Sequence, residues 1–173
     1  SNNTVIYFMP NSEIILISIS GDDKPGVTSA ITEILGKYDA TILDIGQADI
    51  HHTLSLGILF KMSDNAASGH ILKEVLFKCS ELSVNVRFTT VSEERYTNWV
   101  GRQGKGRYIV TILGKIITAK QLSKVTKAIS DQNLNIDSIR RLTGRPSLQI
   151  EDENSIRACI ELSVRGELVD KSI

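Results

Sequence analysis

Residues 14–27 read Ile-Ile-Leu-Ile-Ser-Ile-Ser-Gly-Asp-Asp-Lys-Pro-Gly-Val, and how this stretch is read decides the fold. Its first half is an apolar run with the period of a strand, predicted over residues 13–20, with Ile15, Ile17 and Ile19 on one face. Beyond Gly26 the period changes: Val27, Ile31, Ile34 and Leu35 recur at helical spacing, so a helix is predicted from Pro25 to Tyr38. A strand therefore hands over to a helix through Gly-Asp-Asp-Lys-Pro-Gly. Pro25 fits the first helical turn, where its missing N–H costs nothing, and Gly26 lets another group approach the backbone closely. The free N–H groups at such a helix start favour a carboxylate, and Asp22 or Asp23 beside them can hold an ammonium. The plain alternative is a turn with a helix cap.

Working outward, residues 41–50 and 53–61 read as two strands joined at His51-His52, the second with Leu54, Leu56, Ile58 and Phe60 on one face. Asp64 is a suitable N-cap for a second helix whose stripe is Ile71, Leu72, Val75, Leu76 and Cys79, and Val84, Val86 and Phe88 make a fourth strand. This β-α-β-β-α-β order is ferredoxin-like: two helices cover one face of a four-stranded antiparallel sheet. The first unit is predicted over residues 12–92, after a lead of residues 1–11.

Residues 93–107 lose the apolar period and carry glycines at 101, 104 and 106, so they read as a linker packed through Trp99. The order then restarts over residues 108–173. Tyr108 to Leu113 is a strand ending at Gly114, and Thr118 caps a helix with Leu122, Val125, Ala128 and Ile129 on its stripe. Ile136 to Leu142 is a strand, residues 143–146 a turn, and Ile156 to Val164 an outgoing strand. Superposed, Ile31 matches Val125, Leu35 matches Ile129, Ile42 matches Ile136 and Ile45 matches Ile139, the signature of an internal repeat. The fold class is thus α+β, two ferredoxin-like units in tandem. The second is incomplete at its C-terminus, because only residues 167–173 follow its last strand. Either the chain is cut from a longer protein or a partner supplies the missing helix and strand.

The remaining composition narrows the function. Twenty basic residues balance twenty acidic ones, so no global field draws the chain to nucleic acid or to a membrane. Cys79 and Cys159 sit in apolar periodic segments and suit buried thiols of a cytoplasmic protein. His51 and His52 are sequence neighbours whose side chains diverge, which disfavours a shared metal ion. Gly101 to Arg107, with Arg102, Lys105 and Arg107, matches no phosphate-loop spacing and follows no strand, which favours a linker over a phosphate cradle.

The turn Gly21-Asp-Asp-Lys-Pro-Gly-Val27 resembles that of the ACT family of amino-acid-sensing domains, Gly-x-Asp-Arg-Pro-Gly plus an apolar residue, with Lys24 in place of arginine. Val110-Thr-Ile-Leu-Gly-Lys-Ile-Ile-Thr-Ala-Lys-Gln-Leu122 and Ile160-Glu-Leu-Ser-Val-Arg-Gly166 are similar to the second copy in the tandem ACT region of SerB-type phosphoserine phosphatases. That resemblance implies two tandem ACT domains that regulate a catalytic domain of the same protein, with L-serine, the pathway product, as ligand. The implied site is Asp22, Asp23, Lys24, Pro25, Gly26, Val27 and Thr28, joined by Asp44 and Gln47 of a neighbouring copy. The chain lacks the family's catalytic Asp-x-Asp-x-Thr sequence, so catalysis and its magnesium are expected outside these residues, with no cofactor within them. The half-apolar outer sheet faces point to pairing within the chain or across a homodimer. The second turn, Lys115 to Ala119, has lost the proline, glycine and acidic pair, so ligand binding is expected at the first. The other reading is a stand-alone double-ACT regulator acting by protein contact.

Overall fold

A computed structural model describes residues 13–62, 65–103, 105–143 and 158–167 of the 173-residue chain. The chain divides into two compact units, residues 1–96 and 97–173.

The first unit holds β1 (Glu13–Asp22), α1 (Val27–Lys37), β2 (Thr41–Ile50), β3 (Thr53–Met62), α2 (Asn65–Glu81) and β4 (Asn85–Val91). Its sheet has the order β2-β3-β1-β4, with every neighbour antiparallel. This is the predicted β-α-β-β-α-β fold. The alternation in β1 and β3 puts Ile15, Ile17, Ile19, Leu54, Leu56, Ile58 and Phe60 on one face, all at most 2% exposed. Val27, Ile31 and Leu35 of α1 and Ile71, Val75 and Cys79 of α2 cover that face. Burial pushes the Cys79 thiol above its ordinary pKa, as expected of a cysteine that packs and does not react. Leu76, expected on the α2 stripe, is instead 54% exposed and Phe77 64%. The stripe is the narrower i, i+4, i+8 row of Ile71, Val75 and Cys79, with Leu72 only partly buried beside it.

The opposite sheet face is half apolar, as expected, with Ile14 and Leu16 of β1 and Leu59 of β3 toward one end and small and polar residues toward the other. Pairing lines up Gly46, Gly57, Ser18 and Arg87 in one row and Ala48, Ser55, Ser20 and Asn85 in the next. These small and polar residues line a shallow cleft of about 750 Å³. Apolar side chains do not define this end of the face.

Between β4 and the second unit's first strand, the predicted linker is corrected: it contains helix α3 (Glu93–Gln103). The local chemistry explains it, since the Ser92 hydroxyl accepts from the Arg95 N–H at 3.2 Å and Glu93 and Glu94 occupy the first turn. No residue of α3 is buried, which is why it shows no apolar period.

The second unit adds β5 (Arg107–Gly114), α4 (Ala119–Asp131), β6 (Asn135–Arg141) and β7 (Ala158–Arg165) in an antiparallel sheet of order β5-β7-β6. Thr118 caps α4 as predicted, within a full capping box: its hydroxyl accepts from Gln121 N–H at 3.2 Å, and the Gln121 amide oxygen accepts from Thr118 N–H at 3.0 Å. Among the described residues the core here is small: Ile129, Leu162 and Val164 are buried, with Tyr108, Val110, Ile112, Val125 and Ile136 partly so. The repeat extends to a shared irregularity. The register slips between Ile42 and Asp44 in β2 and between Ile136 and Ser138 in β6, at positions the sequence superposition makes equivalent. The predicted cap at Asp64, the turn from Gly144 onward and the strand position at Ile156 lie outside the described residues.

Candidate functional site

The site is built where β1 ends and α1 begins. β1 runs two residues further than predicted, to Asp22, because Gly21 pairs with Leu54 and Asp22 with Thr53 of β3. Gly21 is needed there: its φ is 156°, and a Cβ on it would lie 3.0 Å from Val84 Cγ1. Pro25 is placed differently from the sequence expectation. It stands in the turn before the helix, and Gly26 is the N-cap with φ 93° and ψ −2°, a left-handed conformation that favours glycine. A glycine cap brings no side-chain oxygen, so no side chain caps the first turn of α1, and that turn holds no acidic residue. The N–H groups of Val27 and Thr28 therefore stand at a positive helix end. Nothing lies within 4 Å of the space a Gly26 side chain would fill.

Around this helix start the fold gathers side chains from β2. Thr28 donates its hydroxyl hydrogen to the Gln47 amide oxygen at 2.5 Å, within one chain, where sequence reading assigned Gln47 to a neighbouring copy. Gln47 pairs with Leu56 and so lies on the helix-covered face. Asp44, three residues earlier, pairs with Leu59 and falls on the opposite face; its carboxylate accepts from the Ile45 N–H at 2.9 Å. The structure does not bring Asp44 to the turn.

The two aspartates of the turn also part company. By the alternation of β1, Asp22 points to the face away from the helices. Asp23 is tied to the β2–β3 hairpin: its N–H donates to the His52 carbonyl at 2.7 Å, and its carboxyl hydrogen-bonds that of Asp49. That carboxyl contact, with some desolvation and the repulsion of Asp49, holds the Asp23 pKa above the ordinary carboxylate range. Asp49 escaped sequence reading, although its spacing of two from Gln47 on a strand was the available signal. Lys24 donates from Nζ to the Leu82 carbonyl at 2.8 Å, just past the end of α2, so this charge ties the turn to the second helix.

His51 and His52 form the β2–β3 turn with φ of 50° and 60°, a left-handed pair that matches the twist of a two-residue hairpin. Their rings lie 5.8 Å apart and both residues are exposed. Among the described residues no group of three or more histidine, cysteine, aspartate or glutamate side chains is placed to hold a metal ion. No helix of the described residues is long and apolar enough to cross a membrane.

The second unit's equivalent turn is different in kind. Gly114 leads through Lys115, Ile116 and Ile117 to Thr118, whose hydroxyl caps α4. The helix end open in the first unit is closed by a side chain in the second.

Comparison with known proteins matches residues 13–89 and residues 107–172 to two family models, each described as an ACT domain. Among characterised relatives, the chain is 29% identical over 143 residues to phosphoserine phosphatase SerB2 of Mycobacterium tuberculosis. It is 26% identical over 138 residues to a phosphoserine phosphatase of Streptomyces coelicolor. The alignments cover 83% and 79% of this chain but 34% and 32% of those proteins, so the chain spans about a third of their length. Among solved structures, a protein assigned as a glycine cleavage system transcriptional repressor superposes with a TM-score of 0.63 at 13% identity, over 90% of this chain and 81% of that one. A protein from Galdieria sulphuraria superposes with a TM-score of 0.62 at 15% identity over the same shares. At those identities the likeness is one of fold.

Proposed function

We propose that this chain, which belongs to the ACT-domain family in two successive copies, is the amino-acid-sensing and dimerising regulatory region of a phosphoserine phosphatase, with L-serine as its ligand. The phosphatases it is related to extend well beyond the matched region, and the 173 residues contain no Asp-x-Asp-x-Thr sequence. The catalytic domain is then a separate part of the same protein. The observation that carries the reading is the start of α1: a left-handed glycine cap with no capping side chain, with the Gln47 amide of β2 on Thr28 and, in the turn before the helix, the Asp23 carboxyl on that of Asp49.

An amino acid matches this arrangement group by group. Its carboxylate takes the N–H groups of Val27 and Thr28, where helix-end charge and hydrogen bonding act together. Its ammonium takes the Asp23–Asp49 pair. The Asp49 charge opposes ionisation of Asp23, and a cation beside them relieves that repulsion, so ligand binding and ionisation of Asp23 favour each other. The Thr28 hydroxyl and the Gln47 amide are the polar groups within reach of a short hydroxylated side chain. Regulation follows if serine binds one arrangement of the enzyme better than another; a coupling of about 1–3 kcal/mol gives an effect of several-fold to about a hundredfold.

Isothermal calorimetry on the whole chain tests this. L-serine is expected to bind with measurable heat, D-serine and L-lysine at least about tenfold more weakly, and Asp23→Asn to lose the heat. No heat from L-serine or other small amino acids with the wild-type chain would overturn the sensor reading.

A further inference from the structure

The charge balance of the whole chain conceals a division. Residues 1–96 carry twelve acidic and seven basic residues, whereas residues 97–173 carry thirteen basic and eight acidic ones. The second unit is thus a cationic body by composition, within a chain whose total charge balances. Within it lies a cleft of about 460 Å³. That is the size of a small-molecule site.

The cleft opens at the end of the sheet remote from the Lys115 to Ala119 turn. α3 supplies Trp99 and Arg102, Lys105 follows that helix, and the far wall is formed by Asn133 and Asn135 at the start of β6 and by Arg165 at the end of β7. The frame is fixed by backbone and ion-pair contacts. Gly166 N–H donates to the Gly106 carbonyl at 3.0 Å, and Arg165 donates from Nη1 to the Gln103 carbonyl at 2.8 Å. Gly166 itself has φ 139°, and a Cβ there would come within 2.9 Å of Leu134, so this wall depends on a glycine. The single acid of the lining, Asp137, sits at the β6 bulge and is spent on Arg165, 2.5 Å from its Nε. Among the described residues neither Arg102 nor Lys105 has an ion-pair partner. Two cations therefore face the cleft beside an indole that is 37% exposed.

We infer that this cleft is a second ligand site, for a small organic anion that joins a phosphate or paired carboxylates to a flat ring. Arg102 and Lys105 supply the charge-assisted hydrogen bonds, the two asparagine amides supply neutral ones, and the ring lies on Trp99. The positive field of the unit raises the local concentration of such an anion. The site belongs to the second unit, whereas the serine turn belongs to the first, and its charge is opposite. It gives the regulatory region a second chemical input.

Trp99 is the only tryptophan of the chain, so its fluorescence reports on this cleft alone. We would titrate the whole chain with adenosine monophosphate, phthalate and inorganic phosphate, exciting only the indole. A saturable change with either ring-bearing anion is expected, and which one binds tells phosphate from carboxylate recognition. Inorganic phosphate should bind at least about tenfold more weakly. Arg102→Ala with Lys105→Ala should weaken binding by about a hundredfold, each lost charged hydrogen bond accounting for roughly tenfold, with an unchanged thermal melt. Asp23→Asn should leave the titration unaltered, which separates failure here from failure at the serine turn. The proposal is overturned if neither ring-bearing anion saturates by about 10 mM, if inorganic phosphate binds as tightly, or if the double variant binds like the wild type.

Discussion

At residue scale, Asp23 is where stability and function pull apart. The Asp49 carboxyl raises its pKa, and for an acid whose folded pKa lies above the unfolded one, the stabilisation is fully present below the ordinary carboxylate range and is lost as pH rises through the raised value. Asp23→Asn removes that repulsion at neutral pH. The variant should melt no lower than the wild type at pH 7, with any advantage vanishing in acid, while serine binding is lost. A neutral-pH melt clearly below the wild type would show that Asp23 serves the fold. Gly21 makes the opposite case. Gly21→Ala forces a Cβ against Val84 at a positive φ and should cost about 1–3 kcal/mol in a denaturant melt of the first unit. These residues were unequally legible in sequence. Gly26 and Asp23 announced themselves in a dense polar turn, but Asp49 lay in a strand whose face is decided by pairing with β3, and the parting of Asp22 from Asp23 follows from the last two residues of β1 staying in the sheet.

At the scale of elements, one contrast organises the two copies. α1 begins on a glycine without a capping side chain and α4 begins on a full capping box. Thr118→Ala should destabilise the second unit by about 1 kcal/mol, seen as faster amide exchange in the first turn of α4, and leave serine binding intact. Helix α3 shows where the apolar period fails as a guide. Its residues bury nothing, so the signal lay instead in Ser92 followed by two glutamates, a cap and a favourable first turn. The antiparallel ferredoxin-like arrangement was legible from the element order, whereas the paired bulges after Ile42 and Ile136 show only in the pairing with β3 and β7, although the repeat makes the two positions equivalent.

For the whole molecule, the two units differ in how much core they hold. The first buries a continuous cluster running through both helices and the sheet, while the buried cluster in the described part of the second is Ile129, Leu162 and Val164. Hydrogen exchange should find the slowest amides in β1 and β3, with the β5–β7 amides opening at lower free energy; equal protection in both sheets would contradict this. The central claim is that the fold is kept twice and the amino-acid chemistry once. It is tested most directly by following backbone amide resonances of the whole chain during addition of L-serine. The Gly26, Val27 and Thr28 amides should shift and saturate together while those of Lys115 to Ala119 stay still. A saturating shift at Lys115 to Ala119 with Gly26 to Thr28 unmoved, or no shift at either turn, would contradict it.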